Sequence, residues 1–329
     1  SEFSDFDFEG SNFSVLIDTL AYNTYINAFN SNMIVNESFL DSATLRENVV
    51  SLARNIGYVP RSRTASSTTV TFTVTSNDST AQSMTLQKGL VCVGNRNDTS
   101  YVFSIPEDVT VETYRVSIKD ENGQIVKVVT RATFNDVKIY QGLHLTQKFK
   151  VDTSIRQRFI LNNSSIDTSL LKVYVNEVGD GFVEGSLGVE RYPIDNIVST
   201  DASSNVYLIQ EVQDEKYELL FGDGLIGKKV GNNAVITAKY IVTDGKDGNG
   251  ARDFSFAGII KSPSQSTQVN EDTVVTINSV EFKDKNEKEV VILPSSNGGD
   301  IETIESIKNY APRLYSSQNR AVTSNDFRF

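Results

Sequence analysis

Apolar residues recur at two different spacings along this chain, and the change of spacing divides it. Up to Ile56 they recur three and four positions apart, the period of a helix packed on one side. Phe13, Leu16, Ile17, Leu20, Ala21 and Ala28 form a first stripe, with Ser11 or Asn12 placed to cap it, so one face of this helix is expected to be buried. Tyr22, Tyr25 and Phe29 widen the apolar surface beyond that stripe. They either complete an internal core or meet another chain. In a second helix Thr44 and Glu47 stand at the spacing of a capping box, where each side chain satisfies the other residue's backbone N–H. Leu45, Val49, Leu52, Ala53 and Ile56 follow as its apolar stripe. Gly57 supplies a C-terminal stop, and Pro60 cannot continue the helix.

From Thr64 the period falls to two. Val70, Phe72 and Val74 alternate with Thr69, Thr71, Thr73 and Thr75, which predicts a half-buried strand with a threonine-rich outer face. Short strands are predicted at Met84–Leu86, Leu90–Val93, Tyr101–Ile105, Val137–Ile139, Leu171–Val175, Val206–Ile209, Tyr217–Phe221 and Ala234–Val242. Asn122-Gly123, set between the runs ending at Ile118 and beginning at Ile125, is a hairpin signal. Ser262–Asp272 reads as a loop, Val274–Phe282 and Val290–Leu293 as final strands, and Pro294–Gly299 as a linker. Asp300 is expected to cap a helix carrying Ile301, Ile304, Ile307 and Ala311, ended by Pro312. Thr323 is placed to cap another, with Asp326 in its first turn. The pattern is α+β: a helical N-terminal region over 1–62, a central mainly antiparallel β-domain, sandwich or barrel-like, over 63–294, and short C-terminal helices over 295–329.

The densest run of turn signals lies in Tyr217–Ala251. Gly222, Gly224 and Gly227 match GxGxxG, and Gly222 to Lys228 matches GxxxxGK, both patterns that can cradle phosphate at a helix N-terminus. Lys229 stands where a magnesium-holding Ser or Thr would be needed. A further turn and an alternating strand follow where a helix should begin. FGDG, GNN and DGKDGNG are therefore read as tight turns joining short strands.

Composition narrows the chemistry. The chain has 329 residues, 39% hydrophobic and 22% charged, with a net charge of −11. It is long enough for two domains, and its surface repels phosphate backbones and anionic lipid, so neither nucleic acid nor membrane is an expected partner. No apolar run reaches the ~20 residues of a bilayer span. Cys92 is the only cysteine, so no internal disulfide exists; it reads as a buried apolar residue, with a reactive thiol as the alternative. His144 is the only histidine, flanked by Leu143 and Leu145 on an alternating run. Asp244, Asp247 and Asn249 read as a solvated turn, because Lys246 interrupts a calcium-loop series. No catalytic, cofactor or metal residue is singled out.

Three stretches carry a resemblance. DFEGSNFSVLIDTLAYNTYINAF, then NESFLDSATLRENVVSLARNIGYVPRS, resembles the N-terminal region of baseplate wedge proteins of T-even-type contractile-tailed phages. The strand ending in FGDG, the strand ending at Tyr240, and the Gly-Asn-Gly after Gly245 resemble a signature of the baseplate J family. Ala311-Pro312, Gln318, Asn319, Arg320-Ala321-Val322-Thr323 and Asp326-Phe327 are similar to a second. The resemblance implies a structural, non-enzymatic component of a baseplate wedge, found in the virion tail and in host cytoplasm during assembly. It implies no cofactor. It also implies partners: a second copy as a dimer within a six-fold ring around the tail tube, and other wedge proteins, with a rearrangement that triggers sheath contraction. Family members extend beyond both ends of these stretches, so a fragment or a shortened member is expected. On this reading Tyr22, Tyr25 and Phe29 are interface residues, and Gly222, Asp223, Gly224, Arg320, Thr323 and Asp326 are structural. A glycan-binding tail adhesin is the alternative, weakened by the absence of Trp, and a wall-opening hydrolase is a third class.

Overall fold

The computed structural model describes residues 12–77, 81–178, 186–194, 200–262, 273–274 and 277–317. The fold is α+β, and the chain forms two compact units, residues 1–60 with 302–329, and residues 61–301.

In the first unit, helices α1 (Asn12–Glu37), α2 (Arg46–Asn55) and α3 (Ile304–Ser317) are described. Val49, Val50 and Ala53 of α2 are buried with Ile307 and Ala311 of α3 and with Ala43. The pair is tied by Tyr58, whose hydroxyl donates to Glu302 Oε1 at 2.6 Å, and by Lys308 Nζ, which donates to the Asp41 carbonyl at 2.9 Å. α2 stops where expected. Gly57 takes φ +83°, and the N–H groups of Gly57 and Tyr58 return to the carbonyls of Arg54 and Ala53.

α3 differs from its sequence reading at both ends. The Thr303 hydroxyl accepts the Ser306 N–H, so Thr303 caps the helix. Asp300 instead pairs with Lys246 at 2.6 Å. Pro312 does not end α3, which runs on to Ser317. Burial of Ile307 and Ala311 against α2 offsets the hydrogen bond that a proline forfeits.

The second unit is built of strands. One sheet has the order β15 (Arg252–Phe256), β3 (Gly89–Arg96), β4 (Thr99–Ile105), β7 (Ile125–Gln141), β1 (Ser67–Ser76), β18 (Ile277–Glu281), with β6 (Tyr114–Lys119) on β7. A second has the order β8 (Leu143–Lys150), β14 (Val235–Val242), β10 (Ile166–Asn176), β11 (Val189–Pro193), β12 (Val206–Glu211), β13 (Tyr217–Phe221), β9 (Phe159–Ile160). A third, of β17 (Thr273–Val274), β16 (Ile260–Ser262), β2 (Ser83–Leu86) and β5 (Val109–Glu112), is smaller. Every described pairing is antiparallel except β11 with β12.

Each large sheet has its own core. Phe72, Phe103 and Phe134 centre the first, with Phe72 and Phe134 stacked 5.1 Å apart. Tyr207, Leu219, Ile236 and Tyr240 centre the second, beside the Phe149–Phe159–Phe221 edge-to-face series.

The threonine face of β1 is an outer face only in part: Thr69 is exposed and Thr75 half-buried. Thr68, Thr71 and Thr73 are buried. Their hydroxyls are satisfied by the Leu293 carbonyl, by the Asp136 N–H, and by Thr133 with the Lys283 carbonyl. Residues 290–299 provide part of that cover. Val290–Leu293 is therefore not a laddered strand, and Pro294–Gly299 is not a loose linker: Ser296 and Gly299 exchange backbone bonds with Ser67 and Thr64.

β7 and β8 are separated by Gly142 alone, which takes φ +124°. Its N–H donates to the Val102 carbonyl and its carbonyl accepts the Ser104 hydroxyl. The chain thus passes from the first large sheet to the second in one residue.

Candidate interaction surfaces

α1 is 26 residues long, and Asp18 is its only charged residue before Glu37. No α1 residue belongs to the core between α2 and α3. Phe13, Leu16, Ile17 and Leu20 form the stripe expected to be buried, yet all four are exposed, because no described element of the unit covers them. At 100° per residue, Val15, Tyr22, Phe29 and Met33 fall on the opposite side, so the helix is apolar on two faces. Tyr22, Tyr25 and Phe29 are 66%, 67% and 55% exposed. Among the described residues no core encloses these aromatics. No described helix is long and apolar enough to cross a membrane.

The turn from α1 into α2 is held by one carboxylate. Glu37 accepts the Thr44 N–H at 2.8 Å, the Thr44 hydroxyl at 2.6 Å, the Leu45 N–H at 3.2 Å and Asn48 Nδ2 at 2.8 Å. The expected capping box is absent. Leu45 occupies the cap position, and Thr44 donates its hydroxyl to Glu37 instead of accepting from the helix. The Thr44 and Asn48 side-chain bonds, followed by the Thr44 backbone N–H, hold the Glu37 carboxyl down at about 2.

The glycine-rich stretch satisfies its own amides. After β13, the Asp223 carboxylate accepts the N–H groups of Leu225 and Ile226 at 2.8 and 3.1 Å. These bonds hold the Asp223 carboxyl below the usual carboxylate range. Gly224 N–H returns to the Gly227 carbonyl at 3.2 Å, and Gly227 and Lys228 donate to the carbonyls of Asp201 and Ser204. Buried Arg191 donates to the Lys228 carbonyl at 3.2 Å and pairs with Glu177 at 3.4 Å. No helix follows, and the next strand is β14. FGDG is therefore a turn, as read, but it does not join two paired strands: β13 pairs with β12 and β9, while β14 pairs with β10 and β8. The N–H groups of Gly224, Leu225, Ile226, Gly227 and Lys228 thus all donate to protein oxygens.

The DGKDGNG turn keeps Asp244, Lys246 and Asp247 exposed, as read, while its ends are anchored by hydrogen bonds. Gln141 Oε1 accepts from the Thr243 hydroxyl and the Asp244 N–H, and Gln141 Nε2 donates to Asp244 Oδ2. Asn249 and Gly298 exchange two bonds of 2.7 and 2.8 Å. Asp244 and Asn249 are committed to these partners. No group of three or more His, Cys, Asp or Glu suited to a metal occurs among the described residues.

Cys92 is buried in the first core, which pushes its thiol up to about 12. His144 is half-buried on β8; desolvation first, then the charge of Lys239, lowers its pKa. Arg320, Thr323 and Asp326 lie outside the described residues.

Sequence reasoning missed Glu37 and the Arg191–Glu177 pair. The first acts seven residues from its nearest partner, and the second joins residues 14 apart, so neither leaves a local signature.

Comparison with known proteins agrees with the helical stretch. Residues 1–58 match the helical domain of gp6-like baseplate wedge proteins. The chain is 30% identical, over 348 aligned residues, to the baseplate wedge protein gp6 of Enterobacteria phage T4, covering 99% of this chain and 46% of that protein. It thus spans somewhat less than half of that relative's length, 46%.

Proposed function

We propose that this chain is a structural component of a contractile-tail baseplate wedge, and that α1 is the element through which it joins neighbouring chains. The observation that carries this is the two-faced apolar exposure of α1, including Tyr22, Tyr25 and Phe29. Fully burying one such side chain contributes about 1.5–3 kcal/mol, so a helix with this surface gains by association. Similarity to a wedge protein along 99% of the chain supports the same reading.

The finer elements of the proposal come from the family resemblance: a dimer within a six-fold ring around the tail tube, contacts to other wedge proteins, a place in the virion tail, and a share in the rearrangement that triggers sheath contraction. The helical region serves as the packing region and the β-rich region as the body.

Light scattering over a concentration series tests the association, alone and with wedge proteins added. Wild type is expected to self-associate or co-assemble. Tyr22→Glu with Phe29→Glu should stay monomeric with unchanged helix content by circular dichroism. A wild-type chain that is monomeric at every concentration and takes up no wedge protein would overturn the proposal.

A further inference from the structure

The hairpin of β6 and β7 carries a surface that the wedge reading leaves unused. Every residue from Ile118 to Val128 is exposed, including Ile118, Ile125, Val126 and Val128. An isolated two-stranded ribbon of this kind is marginally stable in water, so it gains from a further strand. Among the described residues, β6 pairs only with β7, which leaves its outer edge without a strand.

The two faces of β6 differ. Tyr114, Val116 and Ile118 share one face; Arg115, Ser117 and Lys119 share the other. Lys127 of β7 stands opposite Ile118 and so lies on the first face, and the acids Asp120 and Glu121 are confined to the turn. This is a cationic strand edge on a chain whose net charge is −11.

A complementary pattern stands in the chain's own sequence, outside the described residues: Asp5-Phe6-Asp7-Phe8-Glu9. Acidic and aromatic residues alternate there at the period of a strand. Placed antiparallel beside β6 with Asp7 opposite Ser117, this segment sets Glu9 beside Arg115 and Asp5 beside Lys119. The same placement sets Phe8 beside Val116 and Phe6 beside Ile118. Charge meets opposite charge on one face, and apolar meets apolar on the other, the cross-strand pairs that stabilise a sheet. We propose that Asp5–Glu9 of a second copy adds as a strand to the outer edge of β6. The proposal does not rest on the baseplate reading, and it uses a different surface from α1.

Disulfide trapping between full-length chains tests it. One chain carries Asp7→Cys, and a second, distinguishable in mass, carries Ser117→Cys; directly opposed strand residues lie within disulfide reach. Cys92 is buried and does not compete. Mild oxidation of the mixture should give the mixed disulfide severalfold faster than a control mixture of Asp7→Cys with exposed Ser154→Cys. Arg115→Glu with Lys119→Glu should abolish that advantage, and Asp5→Lys with Glu9→Lys on the other chain should restore it. The restoration separates lost charge pairing from misfolding. Equal rates for Ser117→Cys and the control, which association through α1 alone would produce, overturn the proposal. So does a charge reversal that leaves the rate unchanged.

Discussion

Gly142→Ala should be far more damaging than a glycine replacement of similar appearance elsewhere. Gly142 takes φ +124°, and an added Cβ would stand 2.2 Å from the Val242 carbonyl oxygen and 3.0 Å from its carbon. Both neighbours are backbone, in the β8–β14 ladder where Leu143 faces Val242, so neither can swing aside. Two costs then combine. Holding a residue with a side chain in a sparsely populated backbone region costs on the order of 1–3 kcal/mol. Overpacking a close contact costs roughly 1–3 kcal/mol more. The sum, about 2–6 kcal/mol, is a large fraction of ordinary domain stability.

Gly123 separates the terms. It takes φ +79° in the turn between β6 and β7, and nothing lies within 4 Å of its added Cβ. Gly123→Ala should carry the backbone cost alone, about 1–2 kcal/mol. Urea unfolding followed by circular dichroism and tyrosine fluorescence gives both midpoints. Gly142→Ala should shift the midpoint at least twice as far. Equal shifts would mean that the ladder opens without cost at Val242, and the reasoning from the close approach would fail.

Three further outcomes are expected. Hydrogen bonds from Thr44 and Asn48 hold the Glu37 carboxyl down at about 2 in the folded chain, against 4.5 for an ordinary glutamate; a depressed carboxyl stabilises above its unfolded value and loses that contribution as pH falls. The joint between α1 and α2 should therefore loosen between pH 4.5 and about 2, as amide exchange at Thr44 and Leu45 would report, and Glu37→Gln should remove most of this pH dependence. In the FGDG turn, Gly222→Ala should lower the melting temperature more than Gly224→Ala, because a Cβ at Gly222 would lie 2.2 Å from the Gly227 carbonyl oxygen while one at Gly224 lies 3.8 Å from the nearest atom, a side-chain carbon; the reverse order in thermal melts would refute this. Cys92, with its thiol pushed up to about 12, should resist a disulfide reagent at pH 8 until the chain is unfolded, and fast labelling of the native chain would contradict its burial.

Much of the fold was legible because it is written locally. Period-two runs became strands close to their expected places, Asn122-Gly123 became the turn of a hairpin, and Gly57 stopped α2. What was not legible is set by partners distant in sequence. Thr44 has the spacing of a cap, but a carboxylate from the preceding helix accepts both its hydroxyl and its backbone N–H. Thr73 of β1 reads as solvent-facing because Lys283, whose carbonyl accepts its hydroxyl, lies more than two hundred positions away. Asp300 has the chemistry of a cap, but Lys246 claims it. The exposure of α1 could not be settled from its own pattern, since an apolar helix reads alike whether its cover is internal or another chain.

β7 has a mechanical consequence. Its 17 residues run roughly 55 Å at the usual rise per residue. Its first residues form the exposed hairpin, its middle is zipped along β1, and it ends one residue short of the second large sheet. Ladder hydrogen bonds in an antiparallel pair lie across the strands. A tug on the hairpin along the axis of β7 would load the whole β1–β7 zipper in shear, all bonds at once. A tug across that axis would peel them in succession. The strand is thus stiff to tension in one direction and compliant in the other, and whatever grips the hairpin is connected through a single length of backbone to the Gly142 crossing.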